Sequence, residues 1–421
     1  MKIAIVGPPS RVSGSTKITY KQAVSLAARN HQIKLVFQKR GLDKMTNVYT
    51  GLTTTDSLEL LPLAPNRILT PLINFLTRRY RRMHAGAHLP VSDSIWYRNG
   101  RLRQLADHSA RNGTGVVTEI DLDVGALFWA MPRLSRNLVS WDCSGLLFYA
   151  TPFALPVMPI FNNQSVRKVL YLLDMPVAKT LTTEGRPSNS PFVRFVRRFE
   201  TWVIRHTDAL ACMNHLVQAD WSETYGIRPQ IIPPGCTPLN RLSSDKSDLV
   251  LTVTHWYPDK RPFYFLELAK LLRTSKLRLA MAGHWPNPRD LQEMRDQIKR
   301  NGLEQKLLLF PDCPEDQLMS LYRSARCFVA PPKGGGYMMG ALESAAVGTP
   351  IVYPKATGAW DVFSPGVHGF APNVEDIDDV LSCIIHFEDN ALVERMSVEI
   401  WTRAKELSWD NHCSALEALL A

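Results

Sequence analysis

The sequence predicts an α/β protein made of two Rossmann-like domains that face each other across a cleft. Strand patterns alternate with helical patterns in both halves, and a polar stretch at residues 238–247 interrupts the alternation. The length of 421 residues fits two or three domains at ~100–200 residues each. Hydrophobic residues make up 45% and charged residues 21%, which excludes a mainly disordered chain.

Short apolar runs rich in β-branched residues predict the strands of the first half. The first run is 2–6; a loop that contains Gly14 follows it, and a helix then extends to about residue 29. The other predicted strands are 32–37, 115–120, 169–173, 208–212 and 230–232. Strands joined by helices indicate a parallel sheet with crossover helices. Residues from about 40 to 112 show a less regular pattern.

The second half repeats this rhythm more clearly. Its predicted strands are 249–255, 277–283, 306–310, 327–332 and 350–354. Its predicted helices are 262–272, 290–302, 315–325 and 339–348, and Gly302 is a C-cap candidate. We therefore predict a first domain at 1–237, a linker at 238–247, a second domain at 248–395 and closing helices at 396–421.

Charge and cysteine content narrow the function classes. The formal net charge of +10 attracts anions such as phosphates, nucleic acid or an anionic membrane surface. The seven cysteines are widely spaced without a CxxC pair, which argues against a disulfide framework or a structural zinc site. The same cysteine pattern predicts a reducing cytoplasm as the compartment. No signal peptide is expected, because the start is broken early by proline, and no membrane-spanning helix is expected, because no run of ~18 apolar residues occurs.

Two loops that follow predicted strands carry anion-binding chemistry. In the first, three consecutive glycines (334–336) precede a helix that begins near Met338. Glycines let the backbone approach a ligand closely, and the free amides and dipole of a helix start favour a diphosphate. Glu343 lies about one and a half turns into this helix. In the second loop, Lys260 follows a strand, where it can hold phosphate as a point charge.

These segments together resemble family 4 of the retaining nucleotide-sugar glycosyltransferases, which have the GT-B fold. Family members carry an arginine after a strand and a lysine five residues later; here these positions are His255 and Lys260. The family's E-x7-E motif leads into A-x-G-x-P, and "ALESAAVGTPIV" matches its second half with Glu343 as the second glutamate. Residues 197–235 resemble the end of the family's first domain, and 407–420 resemble its closing helix.

The resemblance implies an acceptor domain at 1–237, a donor domain at 248–395, and closing helices at 396–421 that pack back towards the first domain. It implies a hexosyltransferase that moves a sugar from a donor such as a UDP- or GDP-sugar to a glycan or lipid-linked acceptor. Retention of configuration is part of this expectation. No cofactor and no metal are expected beyond the nucleotide-sugar co-substrate.

Individual roles follow from the same resemblance. Lys260 would neutralise the donor diphosphate, Glu343 would bind the ribose hydroxyls, and Gly14 would face the diphosphate. Amides from Gly336 to Met339 would hold phosphate and sugar. The predicted donor-binding residues are Gly14, Lys260, Gly335, Gly336, Tyr337, Met338, Met339 and Glu343, and the predicted catalytic residues are Lys260, Asp174 and His255.

Three positions depart from the family pattern. The first glutamate of E-x7-E falls on Gly335, where relatives contact the transferred sugar, and the family arginine is His255. A histidine that precedes an aspartate in many relatives is Leu173 here, so only Asp174 matches. Asp174 contacts the sugar or acceptor in one interpretation and caps a turn in the other. Gly335 and Leu173 favour the alternative of a non-catalytic sugar-nucleotide-binding or scaffold protein, and the positive charge leaves a nucleic-acid acceptor open.

Two segments mix bases with apolar residues. In residues 67–84 an arginine cluster follows an apolar run, which predicts contact with an anionic membrane surface. The arginines of this cluster are Arg78, Arg79, Arg81 and Arg82. In residues 191–205 the aromatic residues recur at helical intervals, which predicts a core-facing stripe. These aromatics are Phe192, Phe195, Phe199 and Trp202. Asp121-x-Asp123 is not taken as a metal site, since such triplets are common.

Overall fold

The chain folds into two compact units, each with its own parallel sheet. The computed structural model describes residues 1–7, 14–38, 55–63, 134, 136–154, 157–161, 165–183, 187–242, 245–256, 260–330 and 339–421. Unit 1 contains residues 1–232 and 413–421, and unit 2 contains residues 233–412.

Seven parallel strands form the sheet of unit 1. They are β1 (Lys2–Val6), β2 (Gln32–Gln38), β3 (Leu58–Leu63), β4 (Gly145–Phe148), β5 (Arg167–Leu172), β6 (Ala209–Cys212) and β7 (Gln230–Ile231). Their order in the sheet is β3-β2-β1-β4-β5-β6-β7. Strand β1 is almost completely buried, as expected for a central parallel strand covered on both faces. The predicted strand at 115–120 lies outside the described residues.

Helices connect these strands. Those of unit 1 include α1 (Gly14–Ala28), α2 (Thr151–Ala154), α3 (Val177–Thr183), α4 (Pro191–Arg205) and α5 (His215–Tyr225). Local sequence sets their ends: the Ser190 side chain accepts from Val193 N at the start of α4, and Asn214 does the same for Val217 N at the start of α5. Helix α5 ends at Gly226 with φ +67°, a left-handed C-cap that suits glycine.

Six parallel strands form the sheet of unit 2. They are β8 (Leu249–Val253), β9 (Arg278–Gly283), β10 (Leu307–Pro311), β11 (Cys327–Val329), β12 (Ile351–Val352) and β13 (Gly369–Phe370). Their order is β10-β9-β8-β11-β12-β13. With the strands renumbered within each sheet, both orders contain the 3-2-1-4-5-6 arrangement of the Rossmann fold. The predicted α/β fold with two Rossmann-like domains is therefore confirmed.

The helices of unit 2 cover both faces of this sheet. They are α6 (Pro262–Leu271), α7 (Pro288–Arg300), α8 (Glu315–Ser324), α9 (Met339–Ala346), α10 (Ile377–Ile385) and α11 (Asn390–Glu406). A last helix, α12 (Trp409–Leu420), begins in unit 2 and ends in unit 1. Within the described residues, no helix is both long enough and apolar enough to cross a membrane.

The predicted core-facing stripe of α4 is wrong for Phe192 and Phe195, whereas Phe199 and Trp202 are half-buried. Phe192 is 49% exposed and Phe195 is 64% exposed. The buried residues of this helix are Val193, Val196, Glu200 and Val203. Their spacing of three, four and three residues is the same as that of the aromatics, but it starts one position later. Periodicity alone therefore fits both stripes, and the structure buries the valine stripe.

Candidate functional site

The topological switch point of unit 2 lies between β8 and β11, the two central strands that pair in parallel. Ligands of open α/β sheets bind beyond the carboxyl ends of the strands at such a point. Strand β8 leads directly to His255 and then to Lys260, and β11 leads to α9, which carries Glu343. The structure therefore brings the segments with these three predicted residues to one edge of the sheet.

Backbone hydrogen bonds tie the ends of β8, β9 and β10 together. Trp256 N donates to His284 O at 2.8 Å, and Asp312 N donates to Gly283 O at 3.1 Å. Gly283 has φ +116°, and a Cβ there would lie 2.0 Å from Thr254 O. Only glycine fits this close approach of two strand ends, so the position of His284 beside the β8 loop depends on it.

Two histidines and an aspartate meet at this edge. The rings of His255 and His284 pack edge to face with centroids 5.6 Å apart. His284 Nδ1 lies 2.6 Å from Asp312 Oδ1, and this pair is about half exposed. Hydrogen bonding through Nδ1 turns Nε2 of His284 away from the carboxylate. The sequence interpretation missed His284 and Asp312, although each directly follows a strand, which is the signal that identified His255.

Lys260 is the buried cation of the site. Only 5% of the residue is exposed, so its attraction to an anion is less screened than at the surface. It lies immediately before α6, whose N-cap Arg261 has φ +48° and forms an ion pair with Glu375 at 2.9 Å. The conformation of Arg261 therefore fixes the backbone next to Lys260.

The carboxylate of Glu343 is held by a buried tyrosine. Tyr322 Oη, on α8, donates to Glu343 Oε2 at 3.0 Å. Burial, with Glu343 as the next cause, raises the pKa of Tyr322 well above its ordinary value, so the phenol stays a donor. Burial and then Glu343 also raise the pKa of Tyr353. The ring of Phe328 stacks on both tyrosines, with centroid distances of 5.6 Å and 5.9 Å.

Helix α9 begins at Met339, which is half-buried. A Cβ on Gly340 would lie 2.9 Å from both Phe328 Cζ and Tyr353 Oη, so the first turn packs closely on β11 and the segment after β12. The amino end of a helix carries free N–H groups and a partial positive charge, which suits a phosphate group. The other predicted residues of this loop, Gly335, Gly336, Tyr337 and Met338, lie outside the described residues.

In unit 1 the corresponding switch point lies between β1 and β4. Strand β1 leads to Gly7, where a Cβ would lie 2.8 Å from the Tyr149 ring, and α1 begins at Gly14. Gly14 is therefore the first residue of the helix that follows the central strand, whereas the sequence predicted it in the loop before that helix.

Asp174 lies on the loop after β5. It is exposed and follows the buried Leu173. Its carbonyl oxygen accepts a hydrogen bond from Trp221 Nε1 at 2.9 Å, which fixes the backbone of the loop. The amides at the start of α3, Val177 N and Ala178 N, donate to the Glu200 carboxylate at 2.9 Å and 3.1 Å, so this carboxylate caps the helix.

Glu200 also accepts from two hydroxyl groups. Thr151 Oγ1 donates to Oε1 at 3.1 Å and Tyr225 Oη donates to Oε2 at 2.5 Å. Burial and the nearby carboxylate raise the pKa of Tyr225. A glutamate in a helix is normally expected on the surface from sequence alone, but the structure places Glu200 in the core, where it is completely buried. It connects α2, α3, α4 and α5 beneath the Asp174 loop.

Across the described ranges, no group of three or more His, Cys, Asp and Glu side chains is arranged to hold a metal ion. Asp121 and Asp123 lie outside those ranges, as do Arg78, Arg79, Arg81 and Arg82.

The second half of the chain resembles a known protein family. Residues 240–401 match the family model described as glycosyl transferases group 1. A D-inositol 3-phosphate glycosyltransferase of Acidothermus cellulolyticus is 25% identical over 238 residues, which is 50% of this chain and 53% of that protein. A GDP-mannose-dependent alpha-mannosyltransferase of Corynebacterium glutamicum is 27% identical over 151 residues, or 35% of this chain and 34% of that protein. The chain thus spans about half or less of the length of these curated relatives.

Solved structures cover the whole chain. Sucrose-phosphate synthase from Thermosynechococcus elongatus is similar with a TM-score of 0.66 at 12% identity, covering 100% of this chain and 98% of that one. Anabaena HepE in complex with UDP and glucose also has a TM-score of 0.66 at 12% identity, with 100% and 99% covered. At such identities the likeness shows the fold, and the predicted GT-B fold is confirmed.

Proposed function

We propose that the chain is a family 4 glycosyltransferase that moves a sugar from a nucleotide-sugar donor to a glycan or lipid-linked acceptor, with retention of configuration and without a metal. One observation carries the proposal. The buried Lys260 and the amino end of α9 follow the two central strands of the unit 2 sheet, where open α/β sheets bind ligands. The match of residues 240–401 to group 1 glycosyltransferases supports it.

The reaction breaks the bond between the anomeric carbon of the sugar and a diphosphate oxygen, and forms a bond from that carbon to an acceptor hydroxyl oxygen, which loses its proton. Negative charge grows on the leaving diphosphate. The ammonium group of Lys260 and the N–H groups at the start of α9 stabilise that charge without having to reorganise. His255 adds a hydrogen-bond donor on the β8 loop and carries charge only when protonated.

Glu343 binds the ribose hydroxyls of the donor in this proposal. Its carboxylate has two oxygens, and Tyr322 Oη donates to Oε2, which orients the group on α9. A carboxylate accepts strong hydrogen bonds from hydroxyl groups. The amides from Gly336 to Met339 hold phosphate and sugar.

Gly14 and Asp174 contribute from unit 1. The amino end of α1 at Gly14 contacts the diphosphate, and Asp174 contacts the sugar or acceptor. Because relatives contact the transferred sugar through a glutamate where this chain has Gly335, the sugar is held by a different set of contacts here.

The acceptor side of the proposal includes a membrane. A lipid-linked acceptor is reached at the cytoplasmic face of a membrane, and the arginines of residues 67–84 contact its anionic surface. These arginines are Arg78, Arg79, Arg81 and Arg82.

A donor screen followed by a transfer assay tests the proposal. Specific binding of a UDP- or GDP-sugar raises the melting temperature in proportion to the logarithm of the ligand excess. Lys260→Met keeps the apolar stem but removes the charge, and we expect it to lower kcat about 100-fold or more, as loss of one preorganised donor does. Lys270→Met, at a half-buried position in the last turn of α6, is the matched control and retains full activity.

Each alternative has its own outcome. Unchanged sugar transfer by Lys260→Met would remove the donor-site assignment. Donor binding with neither hydrolysis nor transfer identifies a sugar-nucleotide-binding protein. Transfer to DNA or RNA, with binding that weakens steeply as salt is added, identifies a nucleic-acid acceptor.

A further inference from the structure

The dipeptide His-Trp occurs at the carboxyl ends of two neighbouring strands, β8 and β9. Its tryptophans, Trp256 and Trp285, are 1% and 4% exposed, and their rings stack with centroids 5.5 Å apart. Trp256 Nε1 donates to Ala282 O at 3.0 Å, which fixes this indole against β9. Each histidine directly precedes one of these buried rings, so close packing anchors the backbone beneath both imidazoles.

The second of these imidazoles, that of His284, is oriented by Asp312. His284 Nδ1 lies 2.6 Å from Asp312 Oδ1, and an ionised carboxylate has only acceptors, so Nδ1 carries the proton of this hydrogen bond. Asp312 has φ +50°, in the left-handed region that aspartate tolerates better than most residues, and its N–H donates to Gly283 O at 3.1 Å. The chain therefore adopts an uncommon backbone conformation at the residue that holds the imidazole.

The ring of His284 in turn contacts the ring of His255. Their planes are 70° apart and their centroids 5.6 Å apart, so the edge of one ring faces the other. A histidine donates from at most two ring nitrogens, in directions that rotation of the ring sets. Whether His255 can serve as a donor to a ligand therefore depends on the side chains that pack against it, and His284 is one of them.

We propose that His284, held by Asp312, is a positioning residue that aims the His255 ring at the donor diphosphate. The inference rests on the proposed function, in which His255 donates a hydrogen bond to the donor, and it adds two residues that the sequence interpretation missed. The charge of Asp312 by itself repels a diphosphate. Its hydrogen bond to His284, and not its charge, therefore accounts for a carboxylate at this edge of the sheet.

Titration of the full chain with inorganic pyrophosphate, UDP and GDP tests this role. Asp312→Gly removes the acceptor at a φ that glycine adopts freely. We expect it to raise the Kd of each anion that the unmodified chain binds about tenfold, the effect of one lost hydrogen bond to a charged group. Asp312→Asn keeps an acceptor oxygen without the charge, so its Kd stays within about twofold. Electrostatics alone predicts the opposite sign, because both substitutions remove a negative charge near an anion.

The variant His255→Arg supplies a background in which the positioning is not needed. A guanidinium has five donors and a permanent charge, so anion binding no longer depends on the direction of an imidazole. We expect Asp312→Gly to change the Kd by less than about twofold in this background. His284→Phe keeps an aromatic ring without the Nδ1 donor and raises the Kd about tenfold in the otherwise unmodified chain. His386→Phe, which removes an exposed imidazole of unit 2, is its matched control and leaves the Kd unchanged.

Nitrogen-15 NMR of the histidine rings supplies a readout that needs no ligand. We expect the Nδ1–H proton of His284 to be protected from solvent exchange in the unmodified chain and in Asp312→Asn, and to lose that protection in Asp312→Gly. The ring signals of His255 shift in Asp312→Gly, because the ring that packs against it is no longer held. Melting curves verify that each variant folds.

The outcomes separate the positioning role from the proposed function. The positioning role is overturned if the unmodified chain binds one of the three anions and Asp312→Gly binds it as well or more tightly, or if the loss persists in the His255→Arg background. Unchanged His255 ring signals in Asp312→Gly would also overturn it. If the unmodified chain binds none of the three anions, the proposed function itself is refuted and the positioning role with it, even where the spectra show His284 paired with Asp312.

Discussion

Replacing Glu200 with Gln changes one atom of a buried carboxylate that accepts four hydrogen bonds. Oε1 accepts from Thr151 Oγ1 and Val177 N, and Oε2 accepts from Ala178 N and Tyr225 Oη. A glutamine side chain has one acceptor oxygen and one NH2 group. Either orientation of the amide therefore places a donor against one backbone N–H.

The hydroxyl groups can adapt, but the backbone cannot. Thr151 Oγ1 or Tyr225 Oη rotates to accept from the new NH2 group, whereas Val177 N or Ala178 N loses its acceptor. A buried donor left unpaired costs about 1–3 kcal/mol. We expect Glu200→Gln to destabilise unit 1 by about 2 kcal/mol. Glu200→Ala leaves all four donors unpaired and adds a cavity, so we expect about 4 kcal/mol or more.

The assay has to report on unit 1 alone, because a single unfolding free energy is not defined when two units melt separately. Native-state hydrogen exchange resolved by peptide gives the opening free energy of residues 177–183 and of the β8 region in unit 2. Glu200→Gln lowers protection in the first segment and leaves the second unchanged. Glu223→Gln is the matched control, because this side chain is mostly exposed and its surface ion pair with Lys179 is screened by solvent.

The reasoning is refuted if Glu200→Gln matches the unmodified chain in protection of residues 177–183, or if Glu200→Gln and Glu200→Ala are equally destabilised. The first result would show that the four bonds contribute no net stability. The second would show that the amide rescues none of them.

Three further predictions concern unit 2. Burial lowers the pKa of His412 to about 4 from 6.5. This group therefore contributes stability that is present above pH 6.5 and is lost as the pH falls towards 4, and the loss between pH 7 and pH 5 is about 2 kcal/mol. We expect the urea midpoint of the His412→Gln variant to fall less over that pH range than the midpoint of the unmodified chain. Gly340→Ala crowds Phe328 and lowers the opening free energy of residues 339–346 in native-state hydrogen exchange by about 1–2 kcal/mol, whereas a gain from helix propensity would contradict the packing argument. Tyr322→Phe removes the donor to Glu343 and raises the KM for the nucleotide sugar about tenfold at little change in kcat; an unchanged KM would separate this carboxylate from donor binding.

Sequence pattern predicts the strands of unit 2 well because most of them are continuous apolar runs bounded by turns. Two strands of unit 1 escaped it. Strand β4 is only four residues long, too short for periodicity to separate it from a buried helical turn. Strand β3 contains Pro62, which argues against a central strand; the structure places β3 at the edge of the sheet, where proline is tolerated.

The candidate site shows the same division. Lys260 and Glu343 could be found because a resemblance in order and spacing identifies them. His284 and Asp312 lie far from His255 in sequence, and only the pairing of β9 with β8 and β10 makes them neighbours. In α4, hydrophobic periodicity fits both the aromatic stripe and the valine stripe. The buried stripe is the one that contains Glu200, whose carboxylate is surrounded by backbone amides and hydroxyl groups that the helix's own sequence does not reveal.

Unit 1 is built from two separate stretches of chain, and this affects how the protein is synthesised. The carboxylate of Glu417 on α12 pairs with Arg29 at 2.6 Å and lies 2.7 Å from His31, and the Arg167 side chain donates to Leu419 O at 3.0 Å. A ribosome makes residues 413–421 after the whole of unit 2. Unit 2 is therefore able to complete its fold before unit 1, because unit 1 needs residues 413–421 of α12. Release of the chain from the ribosome before residue 413 would leave unit 1 without part of its structure, although all residues of unit 2 would be present.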